Sequence, residues 1–166
     1  MKTFFLDFFD EYEPDEESAR LLKGAVLDAV ELSLRNRRVY IRILPDKLIH
    51  KPQLEKIRSG LQELYGDAEV IFQPKYQPEQ LDSSYFPDLL YQAKRDISIC
   101  NGFFENCACS LENETLTISL QNGGASLMEE YGCLKHIEKL VEEEFGRRIT
   151  AVFDGVTELK EEVAAD

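Results

Sequence analysis

Apolar and polar residues alternate over two stretches of the chain, residues 26–34 and 39–43, on either side of the polar break Arg35-Asn36-Arg37. Alternation with a period of two around a short polar break is typical of a β-hairpin. After Pro52, apolar residues recur at helical spacing, at Leu54, Ile57, Leu61, Leu64 and Tyr65. The apolar run 70–72 then predicts one more strand. The pattern therefore predicts a β-β-α-β unit, with one helix packed on a small sheet.

A second stretch repeats this order of elements without repeating its residues. Alternation over residues 107–111 and 116–120 surrounds the break Glu112-Asn113-Glu114 and predicts a second hairpin. Gly123-Gly124 opens a helical pattern that predicts one continuous helix as far as Phe145. A last strand is predicted over residues 149–153. The chain therefore reads as two copies of one plan.

The two copies are separated by residues 74–84, which lack periodicity, contain two prolines and are typical of a linker. A helix with the apolar stripe Phe86, Leu89, Leu90, Ala93 and Ile97 follows. We predict an α+β fold of two tandem β-β-α-β units, each an antiparallel or mixed sheet covered by a helix. The first unit spans residues 1–75 with an aromatic and acidic leader, and the second spans residues 76–156. Residues 157–166 read as the charged start of a linker in a longer chain.

The charge of the chain argues against nucleic acid as a general partner. Its 166 residues carry a net charge of −13, and the sequence pI is near 4.6. Such a surface repels phosphate backbones over long range. No apolar run approaches the ~18 residues that a membrane span needs. Because Asp7 interrupts the apolar start, that segment is a poor secretory signal, and we expect a cytoplasmic protein without membrane contact.

Recognisable catalytic chemistry is absent from the sequence. It contains no phosphate-binding glycine loop, no HExxH and no GxSxG. The four cysteines form no CxxC pair, and we interpret them as small buried hydrophobes. Cys133 and His136 lie three residues apart on the predicted helix, so a small thiol enzyme remains an alternative. We predict no catalytic residue, no metal site and no cofactor.

An aromatic cluster opens the chain, with acidic residues between and after its members. Its phenylalanines are Phe4, Phe5, Phe8 and Phe9. One interpretation places them in the core, over an open edge or face of the first sheet. The other makes them an exposed anchor for another protein, because aromatic residues are enriched at the centres of interfaces.

The break of the first hairpin holds the only concentrated basic patch, formed by Arg35, Arg37 and Arg38. A turn is where a solvated charge costs least, so these arginines fit a plain surface turn. They also fit a contact with an acidic peptide, or a local contact with a nucleic-acid phosphate.

The apolar and turn residues of several segments carry a family resemblance. They are residues 4–12, 22–43, 54–65 and 70–76, followed in the second half by Leu116-Thr117-Ile118-Ser119-Leu120, the long helix and the Arg147-Arg148-Ile149 strand. Over residues 3–156 the chain resembles the N-terminal region of the PolC-type DNA polymerase III alpha subunit. That enzyme is the replicative polymerase of low-GC Gram-positive bacteria.

The resemblance implies a parent that is a cytoplasmic DNA-directed DNA polymerase, a nucleotidyltransferase, with a built-in 3′–5′ exonuclease. The family's catalytic and DNA-contacting domains lie downstream of this region, so no catalytic residue carries over. The resemblance also implies KH-like units, the first similar to the polymerase-binding domain of the clamp-loader tau subunit. The GXXG loop with which KH domains grip nucleic acid is missing, because no two glycines are separated by two residues.

These observations lead to two hypotheses about function. The first is a non-catalytic protein-interaction region that docks the polymerase within the replisome during DNA replication, with the tau subunit as a partner. The second is a single-stranded nucleic-acid-binding module that uses Tyr40 and the nearby arginines on the first sheet.

Overall fold

Two three-stranded mixed sheets form the framework, with strand orders β1-β2-β3 and β4-β5-β6, and each is packed with helices. A computed structural model describes residues 2–158 of the chain. The chain divides into two units, Met1–Leu81 and Asp82–Asp166, and each sheet belongs to one of them. The predicted α+β class and the two β-β-α-β units are confirmed. Most of the predicted charged segment, residues 159–166, lies outside the described residues.

In its described residues, the first unit contains three α-helices and three strands, and a short 3-10 helix (Pro78–Gln80) follows them. In chain order they are α1 (Phe5–Phe8), α2 (Glu16–Leu22), β1 (Val26–Ser33), β2 (Arg38–Leu44), α3 (Lys51–Gln62) and β3 (Glu69–Pro74). Strand β2 is central, antiparallel to β1 and parallel to β3. Its alternate residues Val39, Ile41 and Ile43 are buried, as the period-two pattern requires. They join the apolar stripe of α3 in one hydrophobic core.

Local sequence explains where the helices of the first unit begin. The Asp15 carboxylate accepts a hydrogen bond from the Ser18 amide at 2.7 Å and caps α2. Glu16 and Glu17 follow in the first turn, where negative charge is favoured by the helix dipole. In α3, Pro52 occupies the first turn, where its missing N–H leaves no hydrogen bond unmade.

The second unit repeats the strand topology, with one α-helix before the hairpin and two between the hairpin and the last strand. Its elements are α4 (Phe86–Asp96), β4 (Ala108–Glu112), β5 (Thr115–Leu120), α5 (Ala125–Glu130), α6 (Cys133–Phe145) and β6 (Thr150–Gly155). Central β5 is antiparallel to β4 and parallel to β6. In the core, the buried Tyr85 hydroxyl donates to the Glu144 carboxylate, and the Tyr85 and Phe145 rings meet edge to face at 5.3 Å.

The continuous helix predicted from Gly124 to Phe145 is wrong, because the structure breaks it into α5 and α6. Gly132 lies between them with a φ of 79°, a left-handed conformation that glycine adopts without steric cost. The break also turns Tyr131 away from the core. Helical spacing places Tyr131 on the same stripe as Leu127 and Leu134, yet 58% of its surface is exposed.

In both units, a helix side chain accepts a hydrogen bond from the first amide of the last strand that points away from the neighbouring strand. The Val70 amide of β3 donates to Gln62 Oε1 of α3 at 2.9 Å. The Ala151 amide of β6 donates to Glu138 Oε2 of α6, also at 2.9 Å. Because these strands lie at sheet edges, the side chains satisfy donors that lack a strand partner.

Each hairpin turn is also tied to the start of the last strand of its own sheet. The carbonyls of Arg37 and Glu114 accept hydrogen bonds from the first residues of β3 and β6, at 2.8 and 2.9 Å. The side chains of these turn residues form ion pairs, Arg37 with Asp67 and Glu114 with Arg147. The contact is the same in both units, but the signs of the charges are reversed. The two units therefore share this detail of the hairpin turn as well as the order of their strands.

Residues 76–81 pack against the first unit, although they fall on the far side of the predicted boundary at residue 75. The Tyr76 hydroxyl hydrogen-bonds both the amide and the carbonyl of Ile49, each at 3.2 Å. Leu81 is 7% exposed. Side-chain contacts therefore hold residues 76–81 against the rest of the first unit, although the sequence of this segment shows no helix or strand periodicity.

Candidate functional site

The turn of the first hairpin presents apolar and basic side chains together. Leu32 and Leu34 are 65% and 89% exposed, and Arg35, Arg37 and Arg38 beside them are exposed as well. We call these five residues the hairpin tip. Leu32 lies opposite Val39 and so points to the core side of the sheet, yet it remains open to solvent. The two leucines were not predicted as site residues, although Leu34 directly precedes the polar break.

Two of the three arginines in the hairpin tip are paired with acidic residues, one just before β3 and one at its first position. Arg37 Nη1 lies 2.9 Å from Asp67 Oδ2, and Arg38 Nε lies 3.0 Å from Glu69 Oε1. Both pairs are exposed, so solvent and salt screen them strongly. Among the described residues, the structure gives Arg35 no ion pair. The hairpin tip therefore keeps a net positive charge on an acidic chain.

The four predicted phenylalanines divide into a buried pair and an exposed pair. Phe5 is fully buried and Phe9 is 5% exposed, and their ring centroids lie 4.9 Å apart within the core. Neither ring can reach a partner while the unit is folded. Phe4 and Phe8 are 43% and 52% exposed. Of the four predicted phenylalanines, only Phe4 and Phe8 present much of their ring to solvent.

The exposed phenylalanines and the hairpin tip lie at opposite ends of β1. Phe4 forms an antiparallel bridge with Val26, the first residue of β1, whereas the hairpin tip begins at its far end. Eight residues in this strand separate the two patches by about 23 Å, at ~3.3 Å per residue. The seven predicted binding residues therefore do not form one surface.

A third feature is the row of alternating residues Arg38, Tyr40 and Arg42 on β2. These residues point away from Val39 and Ile41, so they lie on the sheet face opposite the core. The charges of this row are paired within the unit. Arg42 lies 3.6 Å from a carboxylate oxygen of Asp28, and Arg38 pairs with Glu69 as above.

The thiol-enzyme alternative is contradicted by the structure. Cys133 forms a disulfide with Cys100, 33 residues earlier, so its sulfur is not a free nucleophile. His136 instead places Nε2 2.7 Å from Asp96 Oδ2. The interpretation of all four cysteines as buried hydrophobes is also wrong, because the free cysteines Cys107 and Cys109 are only half-buried.

Residues 2–158 contain neither a cluster arranged to hold a metal ion nor a helix able to span a membrane. No group of three or more His, Cys, Asp or Glu within residues 2–158 is arranged to hold a metal ion. Over the same residues, every helix is too short or too polar to cross a bilayer.

Comparison with known families identifies the first unit. Residues 4–73, which run from the start of the aromatic segment almost to the end of β3, match the family described as DNA polymerase III polC-type N-terminus I. This match, over 70 of the chain's 166 residues, supports the N-terminal region of PolC-type DNA polymerase III as the family of the first unit. No curated protein matches the chain.

This result confirms the predicted PolC resemblance over the first unit and leaves the second unit outside the matched residues. The PolC N-terminal I domain is a non-catalytic region of a polymerase that acts in DNA replication.

Proposed function

We propose that this PolC N-terminal region docks the polymerase within the replisome by binding another replication protein through the hairpin tip. The partner we propose is the clamp-loader tau subunit. The observation that carries the proposal is the exposure of Leu32 and Leu34 next to three arginines. An apolar centre beside arginine is the composition that stable protein interfaces favour.

Charge supports an acidic site on the partner. The chain as a whole carries −13, and the hairpin tip is the local exception. A positive patch on a negative surface orients an acidic partner and speeds its encounter, while repulsion from the remaining surface disfavours other poses. We propose a partner segment with acidic residues around apolar side chains that cover Leu32 and Leu34.

The hairpin tip is also rigid enough to bind without a large ordering cost. Its backbone is tied to β3 through the Arg37 carbonyl at 2.8 Å, and the Arg37 side chain is held by Asp67 at 2.9 Å. A surface held in one conformation before binding loses less conformational entropy when a partner arrives. Burial of the two exposed leucines then supplies the apolar part of the binding free energy, from which the costs of association are subtracted.

The test measures binding of the whole chain to purified tau subunit by calorimetry. We expect Leu32→Ser with Leu34→Ser to weaken binding at least about tenfold, because both anchors are lost. Arg35→Glu should slow association and reduce the further slowing that added salt causes, because a charge that attracts the acidic partner is removed. Tyr131→Ser and Arg148→Glu are matched controls, since both side chains are exposed in the second unit. Unchanged affinity in the leucine variant, or no binding by the folded parent chain, would overturn the proposal.

A second candidate function, binding of single-stranded nucleic acid, rests on the row Arg38, Tyr40 and Arg42. An aromatic ring between two arginines is a stacking platform that single strands use. Here a short oligonucleotide should bind at low salt, weaken steeply as salt rises, and bind more weakly to Tyr40→Ala. A flat titration at low salt would exclude this candidate and leave the protein-docking proposal intact.

A further inference from the structure

The exposed phenylalanines Phe4 and Phe8 lie on the same side of the short helix α1. Phe4 directly precedes this helix and Phe8 ends it, so the two residues are four apart, and the Phe8 amide donates to the Phe4 carbonyl at 3.1 Å. Both rings remain exposed, although Phe5 and Phe9 beside them in the sequence are buried. Two large aromatic side chains on one side of a surface turn provide the apolar centre that protein interfaces favour.

The backbone that carries the two rings is fixed to the first sheet. Thr3 and Phe5 each form a backbone hydrogen bond to the residues around the first position of β1, at 2.8 and 2.9 Å. The Phe8 ring also meets the ring of buried Phe9 edge to face, with their centroids 4.9 Å apart. The rings are therefore held in place before a partner arrives, and binding costs little conformational entropy.

Unpaired carboxylates surround the two rings. Asp7 lies between Phe4 and Phe8 in the sequence, and Asp10 and Glu11 follow within one further turn. All three carboxylates are exposed, and among the described residues the structure gives none of them an ion pair. The only basic residue from residue 2 to residue 13 is Lys2. We call the two rings and the three carboxylates the acidic aromatic patch; its members are Phe4, Asp7, Phe8, Asp10 and Glu11.

The charge of this patch narrows the class of partner. The patch is negative on a chain that carries −13, so it repels a nucleic-acid backbone or an anionic membrane surface. It attracts a protein segment with basic side chains. The sign of its charge is the reverse of that at the hairpin tip, so the two surfaces select different segments.

We propose that the acidic aromatic patch is a second docking surface, which binds a basic amphipathic segment of another protein. Large apolar side chains of that segment cover Phe4 and Phe8, and its lysines or arginines pair with the three carboxylates. Because the patch and the hairpin tip lie at opposite ends of β1, both can be occupied at once. The first unit then bridges two proteins. This bridging role rests on the docking function proposed above, whereas binding at the patch does not.

The experiment titrates the whole chain with a synthetic helical peptide that carries leucines on one face and lysines on the other, and calorimetry gives the affinity. We expect Phe4→Ser with Phe8→Ser to weaken binding at least about tenfold, because the apolar centre is lost. Leu32→Ser with Leu34→Ser is the matched control, since it removes two exposed apolar side chains at the hairpin tip. This control should bind the peptide as the native chain does.

A second pair of variants separates the local charge of the patch from the net charge of the chain. Asp10→Asn with Glu11→Gln removes two adjacent carboxylates from the patch, and we expect binding to weaken at least about threefold. Glu129→Gln with Glu130→Gln removes two adjacent, exposed carboxylates from the second unit and changes the net charge equally. Equal losses of affinity in these two variants would overturn the proposal, because attraction to the whole chain would then explain the binding.

Circular dichroism would first establish that each variant is folded. NMR chemical shifts of the native chain then locate the peptide without any substitution. We expect the changes in chemical shift to centre on residues 3–11, and changes centred elsewhere would overturn the proposal.

Two further measurements test who occupies the patch. The hairpin tip of a second copy is also basic and apolar, so sedimentation of the chain alone tests self-association. Native chain that stays monomeric agrees with the proposal, and a dimer that Phe4→Ser with Phe8→Ser abolishes would overturn it. The same variant should keep the native affinity for the tau subunit, which distinguishes failure at the patch from failure at the hairpin tip. A weakened affinity for tau would overturn the separate role of the patch.

Discussion

Gln62, the last residue of α3, satisfies three backbone groups with one side-chain amide. Its Oε1 accepts from the Val70 amide at 2.9 Å, and its Nε2 donates to the carbonyls of Ala68 and Gly66 at 2.5 and 3.1 Å. Val70 is 1% exposed, so water has little access to replace the lost acceptor. We therefore expect this side chain to hold the start of β3 against the end of α3.

Gln62→Met removes these contacts and keeps the length and helix propensity of the side chain. A buried amide left without an acceptor costs about 1–3 kcal/mol, and each carbonyl bond contributes ~0.5–1.5 kcal/mol more where water cannot substitute. Because water reaches Gly66, we expect Gln62→Met to lower the free energy of unfolding by about 2–3 kcal/mol. The loss should fall on the first unit, which contains every group that Gln62 contacts.

Urea unfolding followed by circular dichroism measures the change in free energy, and hydrogen exchange read by mass spectrometry locates it. The peptide that contains Val70 should lose protection, while peptides of the second unit keep theirs. Gln92→Met is the matched control, since Gln92 lies on a helix and makes one exposed bond, to Asp96. A loss below about 0.5 kcal/mol, the range of ordinary surface substitutions, would refute the reasoning.

Three further predictions concern single contacts. Lys56 and the Ser18 hydrogen bonds hold the pKa of Asp15 at about 2, below its ordinary value. Ionised Asp15 therefore stabilises the fold at pH values above its ordinary pKa, and this stabilisation is lost as the pH falls towards about 2. In Asp15→Asn, the urea midpoint should change less with pH over this range than in the native chain. Tyr85→Phe removes a buried donor to Glu144 and should cost about 1–3 kcal/mol in urea unfolding. Gly132→Ala forces a left-handed alanine and should cost about 1 kcal/mol in the same assay.

The order of strands and helices was predictable because most buried positions recur every second residue in the strands and about every fourth residue in the helices. Strand β2 shows this directly, since Val39, Ile41 and Ile43 are buried and the residues between them are not. The break at Gly132 was not predictable by the same rule. A glycine inside a helical pattern costs only ~1 kcal/mol, so the pattern alone does not tell a tolerated glycine from a break.

The division of the phenylalanines shows why part of the candidate site escaped prediction. Phe4 and Phe8 are four residues apart, and so are Phe5 and Phe9, which gives two equivalent stripes on the short α1 turn. What separates the pairs is the pairing of this segment with the start of β1, a contact between residues more than twenty apart. The disulfide between Cys100 and Cys133 is a similar case, because no local pattern links these cysteines.

A comparison of the two hairpins distinguishes the turn features that the fold requires from those that a partner protein could recognise. Both turns accept a hydrogen bond from the first residue of the last strand and both hold an ion pair, so either sign of charge serves the fold. The turn sequences Arg35-Asn36-Arg37 and Glu112-Asn113-Glu114 have opposite charge. Since folding does not choose the sign, the basic residues of the first turn are free to serve recognition. An acidic partner would then select the first hairpin and be repelled by the second.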